Sequence, residues 1–411
     1  MRYIISKQNK KIKGEIVLPS SKSISNRLLL IRALAKKSFE IFNLSYSNDT
    51  KDLVKILKSE SNVFDVGNAG TTMRFLTSYL ANKPGDWILT GSERMKHRPI
   101  GILVNALNEL GVKIEYLEKE GFPPIKIYGT NLKGGNIEIS GSISSQFISS
   151  LLLIAPTLPN GLNIKLKSKI VSKPYIDMTL NLMRNFGIKS KWEDDHIIIR
   201  KQNYRAKDFI VEADWSSASY WYEMAAIADI ADIKLYGLKK NSIQGDSIIT
   251  ELFEKIGIKT SFISGGVHLI KVPTPLIKQF EYDFSNNPDI TQTMAVTLSA
   301  LNIPFSLLGL ESLIIKETNR IQALKNELLK TGCNLLVTND SISKFKNNNI
   351  DTNCTITWNF NTCGDHRMAL SFTPLAMLNK IIVDDVNVVK KSYPGFWEDI
   401  QKIGFDIQEI K

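Results

Sequence analysis

Lys22 and Arg27 lie in the stretch 19–27, PSSKSISNR, between an apolar run, IVL, and a helical-looking run, LLLIRALA. Ser20, Ser21 and Ser23 surround the lysine, and the junction holds almost nothing to pack. Hydroxyls and two cations at a helix start suit an anion, because the first N–H groups of a helix are unpaired and its dipole is positive there. Serine is also a preferred N-cap residue, so a capped helix accounts for the same residues without a ligand.

Similar clusters recur. VGNAGTTMRFL (66–76) is a glycine-and-asparagine turn opening a helix, where backbone comes close to a ligand. SERMKHRPI (92–100) gathers Arg94, Lys96, His97 and Arg98, and ISGSISSQFISSLLLIAP (139–156) again sets serines at a helix start, with Gln146. SKPYIDMTL (172–180) offers Ser172, Lys173 and Tyr175, and SNNPDITQTMAV (285–296) puts Asp289 in the first turn of a helix. IIKETNRIQAL (314–324) carries Lys316, Glu317 and Arg320; CGDHRMALSF (363–372) carries Asp365, His366 and Arg367; VVKKSYPGFWEDI (388–400) carries Lys390 and Lys391. Singly, each has a plainer reading: Asp289 caps a helix, Glu317 and Arg320 form an i,i+3 pair, Lys390 and Lys391 are surface charge. Together they fall at helix starts, and helix N-termini converging on one cleft suit a ligand with several anionic groups.

The elements that position these clusters repeat. Gly111, Gly187, Gly257, Gly332 and Gly404 each follow the end of an amphipathic helix and precede a strand-like segment, about 70 to 76 residues apart. Glycine is what a helix needs at C′, where the backbone turns left-handed. Hairpin-like segments follow several of them, such as VKIEYLEKEGFPPIKIYG and IKTSFISGGVHLIKV. A degraded copy at 52–66, DLVKILKSESNVFDV, keeps the helix and has lost the glycine and the hairpin. Six copies of one helix-and-hairpin α/β unit fit two domains of three, with 201–217 as the crossing between them.

Composition narrows the ligand. The chain has 411 residues, 43% hydrophobic and 23% charged, which is globular and long enough for two domains. The net charge is +11, yet no dense Lys/Arg run with interleaved aromatics occurs, so an acidic small molecule is expected rather than nucleic acid. No apolar run reaches the roughly 18 residues of a membrane span, and nothing at the N-terminus marks export. Cys333, Cys354 and Cys363 make no framework and point to reduced thiols in a cytoplasmic protein. Cys363 and His366 have no second Cys/His pair to complete a tetrahedral site, so no metal is expected.

Nine motifs run in one order: PSSKSISNR, GNAGTTMRF, RMKHRPI, SSQFISSLL, SKPYIDMTL, SSASY, PDITQTMAV, KETNR and DHRMA. In these the chain resembles the enolpyruvyl transferases, in the branch that acts on shikimate 3-phosphate, along nearly its whole length. The resemblance implies an α/β protein of two domains, each three repeats of the helix-and-hairpin unit, an inside-out α/β barrel. Domain 1 would span 21–210 and domain 2 would span 1–20 and 211–411, with the active site in the interdomain cleft. It implies transfer of the enolpyruvyl group of phosphoenolpyruvate to the 5-hydroxyl of shikimate 3-phosphate, without a cofactor, by a monomer.

Carried over by position, the resemblance assigns Lys22, Ser23, Arg27, Ser144, Ser145, Ser172, Tyr175, Asp289, Ser312 and Lys316 to shikimate 3-phosphate. It assigns Lys22, Asn68, Gly70, Arg98, Gln146, Arg320, His366, Arg367 and Lys391 to phosphoenolpyruvate, with Thr71 shaping the turn. Asp289 would take the proton of the 5-hydroxyl, and Glu317 would serve proton transfer at the methylene carbon, with Lys22 as the third catalytic group. Two positions depart from the family pattern: Ser312 stands for an asparagine, and Asn319 for an aspartate that could orient Arg320. Phe75 stands where some relatives have proline.

The implied chemistry explains the residue types. Two substrates bring two phosphates and two carboxylates, which are prohibitive to bury without counter-charge. Lys22, Arg27, Arg98, Lys316, Arg320, Arg367 and Lys391 supply it, and the arginine fork grips two oxygens at once. Repulsion among these cations is expected to help hold the empty enzyme open until anionic substrate closes it. The nearest rival is the branch using UDP-N-acetylglucosamine, which relies on a cysteine in the stretch matching 92–100; none occurs here. A nucleic-acid-binding protein is the remote rival, and it predicts salt-sensitive binding.

Overall fold

The computed structural model describes residues 1–142, 144–274, 277–346, 348–352 and 355–410. Cys354, and Ile143 of the serine-rich stretch, lie outside them. The chain forms two compact units, Met1–Ser20 with Glu212–Lys411, and Ser21–Val211.

One repeat shows the plan. The strand Val63–Asp65 leads through the helix Gly70–Ala81 to the parallel strand Gly85–Thr90. A later helix, Gly101–Glu109, leads to the hairpin Lys113–Tyr116 and Ile125–Gly129, whose second strand pairs antiparallel with Gly85–Thr90. The same four-stranded order recurs in the sheet of Gly135–Ser140, Leu162–Lys167, His196–Ile199 and Lys191–Glu193. In the other unit, two sheets repeat it, one from Lys11–Val17, Ile230–Tyr236, Gly266–Lys271 and Ile258–Ile263, the next from Phe280–Asp283, Phe305–Leu308, Ile342–Lys344 and Leu336–Val337. The last is closed by the chain's own beginning. Arg2–Ser6 lies between Ile381–Asp384 and Asp406–Ile410, with Trp358–Phe360 completing the sheet.

The five repeat glycines have φ of 94°, 84°, 90°, 86° and 87° at Gly111, Gly187, Gly257, Gly332 and Gly404. An L-residue there costs roughly 1–2 kcal/mol, so glycine is the physical requirement that the sequence repeats. The degraded copy keeps its helix, Asn48–Lys58, and before it helix Lys22–Leu34 and the short strand Ile41–Phe42 lie in the same unit; among the described residues that strand pairs only with Phe209–Ile210, in parallel. Its second helix ends at Ser59 in extended backbone, so no left-handed turn feeds a hairpin. Residues 63–65, read as the tail of that copy, instead form the first strand of the next sheet.

Helices fill the middle of each unit. Trp215–Ile227, Thr291–Ala300 and His366–Phe372 pack on one another and are buried on nearly every side, as are Lys22–Leu34, Gly70–Ala81 and Ser145–Ile154 in the other unit. Their sequences are mostly apolar or small, and the large polar groups among them, such as Arg27, Arg74 and Glu223, are themselves buried. Serine and threonine lie between them because small hydroxyls allow close approach and find partners there: Ser78 donates to Ser150 at 2.8 Å, and Ser219 and Thr293 are 2.9 Å apart. The second helix of a repeat is amphipathic by contrast. Asn48–Lys58 buries only Asp49, Thr50 and Leu53.

Candidate active site

In each repeat the two helix starts share one topological position, just after a strand. In the unit built around residues 212–411 the six helix starts among the described residues join one contact network. Ser216 lies in the first turn of Trp215–Ile227, Asp246 in the turn before Ile249–Glu254, and Asp289 in the turn Pro288–Ile290 that feeds Thr291–Ala300. Arg320 begins Arg320–Leu329, Arg367 is second in His366–Phe372, and Lys391 ends the turn Val386–Lys391 ahead of Phe396–Lys402.

Arg320 is the hub. Its Nε donates to Asp365 Oδ2 at 2.7 Å, Nη1 to Asp289 Oδ1 at 3.2 Å and Nη2 to Glu317 Oε2 at 3.0 Å. The residue is 1% exposed. Burial alone would weaken the guanidinium's hold on its proton, but Asp365, Glu317 and Asp289 outweigh it and hold its pKa above the ordinary arginine value. Asp365, fully buried, also caps its helix by accepting from Arg367 N at 2.9 Å. Arg367 donates to the Asp289 carbonyl at 2.6 Å and lies 3.0 Å from its carboxylate. Lys316 stands 3.6 Å from Asp289, and Lys391 stands 3.1 Å from Glu317. Buried His366 has Nδ1 3.4 Å from Asp365.

Three carboxylates thus share one arginine, and two of them, Asp289 and Glu317, each hold a lysine as well. The two positions set apart in the sequence, Asn319 and Ser312, differ in burial. Asn319 is exposed and caps its helix by accepting from Gln322 N at 3.2 Å, so Arg320 is oriented by Asp365, Asp289 and Glu317 instead. Ser312 is buried in the turn Glu311–Leu313.

In the unit 21–211, Ser21 caps the helix that Lys22 begins, and Lys22 Nζ lies 3.0 Å from Asp49 Oδ2 at the start of Asn48–Lys58. Arg98 packs on Gly70 so closely that a Cβ there would sit 2.6 Å from its Nη2, and it donates to the Asn68 carbonyl at 3.4 Å. Ser92 donates to the Asn68 side chain. Gln146 donates to Thr71 Oγ1 at 3.1 Å, and Ser144 caps the helix Ser145–Ile154. Ser145 is buried. Ser172, at the N-cap position of Lys173–Asn185 but without a side-chain capping bond, takes a left-handed conformation, φ 55° and ψ 37°; serine is rarely strained this way without a local reason.

Arg27 is placed more deeply than its neighbours. At 2% exposure it donates to Thr179 Oγ1 at 2.7 Å, to the Ser23 and Tyr175 carbonyls at 2.9 and 3.2 Å, and to Ser149 at 3.3 Å. Its guanidinium lies over the Phe75 ring, 5.3 Å from the centroid. Burial lowers its pKa to about 10, which leaves it charged at neutral pH.

Sequence reasoning did not single out three carboxylates as site residues: Asp49, Asp246 and Asp365. Asp365 stood in a quoted motif, whereas Asp49 and Asp246 stood in none. With Asp49, Asp289, Glu317 and Asp365 in place, Lys22, Lys316, Arg320, Arg367 and Lys391 meet counter-charge inside their own unit, which reduces the repulsion expected from counting lysines and arginines alone. Cys363 is exposed and His366 buried, and among the described residues no group of three metal-ligating side chains is assembled. No helix among the described residues is long and apolar enough to cross a membrane.

The family model of EPSP synthase (3-phosphoshikimate 1-carboxyvinyltransferase) matches residues 6–59 and 55–400. The 3-phosphoshikimate 1-carboxyvinyltransferase of Bacteroides fragilis is 47% identical over 411 residues, covering 99% of both chains. The chain belongs to the EPSP synthase family. A second member, from a Sulfurovum species, is 36% identical over 438 residues, covering 98% of this chain and 99% of its own. Among solved structures, EPSP synthase from Acinetobacter baumannii superposes with a TM-score of 0.76 at 21% identity over 99% of this chain and 100% of that one, a likeness of fold. EPSP synthase membership rests on the full-length match, which includes all nine motifs described above.

Proposed function

We infer that the chain transfers the enolpyruvyl group of phosphoenolpyruvate to the 5-hydroxyl of shikimate 3-phosphate, releasing phosphate. The observation that carries the reading is the sharing of Arg320 by Asp289 and Glu317, each also paired with a lysine. The reaction needs that arrangement: the 5-hydroxyl oxygen adds to C2 while C3 gains a proton, then C3 loses a proton as the C2–O bond to phosphate breaks. Asp289 takes the hydroxyl proton, and Glu317 serves C3. Anionic substrate oxygens compete for Arg320, Lys316 and Lys391, which loosens the carboxylates for proton transfer as the substrates arrive.

In this reading Arg98, Arg320, Arg367, His366 and Lys391 hold phosphoenolpyruvate with Gln146, Asn68 and Gly70. Ser23, Arg27, Ser144, Ser145, Ser172, Tyr175, Ser312 and Lys316 hold shikimate 3-phosphate, and Lys22 reaches both. The enzyme acts in the cytoplasm as a monomer. Against the UDP-N-acetylglucosamine branch stands the stretch 92–100, which has no cysteine.

A phosphate-release assay tests the reading. Phosphoenolpyruvate with shikimate 3-phosphate should release phosphate, and Lys22→Met should remove nearly all of it. Release with UDP-N-acetylglucosamine alone, or full turnover by Lys22→Met, overturns the assignment.

A further inference from the structure

Asp246 is 4% exposed in the turn Gly245–Ile248, and its two carboxylate oxygens differ. Oδ2 accepts from Ser216 Oγ, while Oδ1 is buried with no hydrogen-bond partner among the described residues. Ser216 Oγ in turn accepts from Arg367 Nη2 at 3.5 Å, and Arg367 spans to Asp289. A buried carboxylate oxygen without a donor is costly, so the atom is retained where its proton has work to do or where a neighbour's charge changes.

The groups facing Asp246 come from each surrounding element. They are Asp289 in the turn Pro288–Ile290, Arg367 of His366–Phe372, Asp214 at the cap of Trp215–Ile227, and Tyr282 on Phe280–Asp283. The following helix, Ile249–Glu254, carries Glu251, which faces Tyr282. Two of the neighbours are carboxylates and only one is a cation.

We propose that Asp246, acting through Ser216, is a positioning residue that sets Arg367 for its anionic ligand and takes up a proton when that ligand arrives. The proposal rests on the reading that Arg367 holds phosphoenolpyruvate. Burial, with Asp289 adding to it and Arg367 opposing, pushes the Asp246 carboxyl up to about 6, within reach of physiological titration. Ionised, Asp246 draws on the charge of Arg367 and repels the ligand. Protonated on Oδ1, it leaves that charge to the ligand, while Oδ2 still accepts from Ser216. Anion binding and proton binding therefore favour one another, and the coupling is reciprocal.

The experiment is a pH series of phosphate release, from about pH 5 to about pH 8, with wild type, Asp246→Asn and Ser216→Ala. Substrate ionisation is common to all three and cancels in their ratios. The wild-type KM for phosphoenolpyruvate should rise, relative to Asp246→Asn, by about fivefold or more across the range, as expected of a coupling of this kind. Ser216→Ala should raise that KM at every pH and flatten its rise with pH toward that of Asp246→Asn, because it cuts the relay through which the titrating group acts. Calorimetry of phosphoenolpyruvate binding to the wild-type complex with shikimate 3-phosphate, in two buffers of different ionisation enthalpy, should show proton uptake that Asp246→Asn lacks. Turnover with parallel wild-type and Asp246→Asn profiles overturns the proposal alone. No wild-type phosphate release overturns the assigned reaction, and the proposal with it. Should Asp246→Asn fail to fold, an unchanged KM in Ser216→Ala overturns the relay.

Discussion

Lys22 Nζ lies 3.0 Å from Asp49 Oδ2, with both side chains largely buried and each at the start of its own helix. The pair fixes the direction of the one cation assigned to both substrates. Asp49→Asn keeps the shape and removes the charge, so Lys22 loses a charge-assisted hydrogen bond. Such bonds contribute about 1.5–3 kcal/mol, and kcat/KM should fall roughly tenfold to a hundredfold. Steady-state phosphate release checks this, and an unaltered kcat/KM counts against a role for the pair.

Gly70 has no room for a side chain. A Cβ would meet the Arg98 guanidinium at 2.6 to 2.8 Å, and the far end of that side chain must swing away. Gly70→Ala should therefore raise the KM for phosphoenolpyruvate roughly tenfold, with a smaller change in the KM for shikimate 3-phosphate. A rise confined to shikimate 3-phosphate would contradict the assignment of Arg98.

Arg320→Lys keeps a positive charge but replaces a planar fork by a point. Asp365, fully buried, then loses its best partner. Breaking a buried pair costs about 3–5 kcal/mol, which in a unit of this size lowers the melting temperature by roughly 10 °C. Turnover should fall at least a hundredfold, because Asp289 and Glu317 lose their common anchor. Calorimetry and the phosphate assay read the two effects separately.

Glu223 is fully buried in the central helix Trp215–Ile227, and among the described residues neither carboxylate oxygen has a partner. Burial holds its pKa well above the ordinary glutamate value of 4.5. The unfolded chain releases this proton near the ordinary value while the folded chain keeps it, so the native state binds more protons and stability falls as pH rises above about 4.5. Glu223→Gln should raise the melting temperature at about pH 8 by several degrees and by much less near pH 4. An equal shift at both would show that ionisation is not the cause.

Much of the fold is legible in the chain because its determinants are local. The five repeat glycines mark helix ends that only a left-handed residue can close, and each does so at a φ near 90°. Hairpins follow them because alternating strands and turn residues act over a few positions. The degraded copy was recognisable by its missing glycine. Its partner strand, Phe209–Ile210, was not, since nothing local says that a segment so far along the chain pairs beside Ile41–Phe42.

For the site, the sequence by itself determined which residue types stand at which helix starts, and through nine ordered motifs which family they belong to. Tertiary structure alone decided what those groups touch. It set Asp49 against Lys22, buried Arg27 under neutral donors and acceptors, hung Asp289, Glu317 and Asp365 on one guanidinium, and put Asp246 behind Arg367. The physical reason is that a carboxylate at a helix start is locally only a cap. Whether it meets a cation depends on which repeats the packing of the central helices brings together, and that packing is driven by apolar burial without regard to charge.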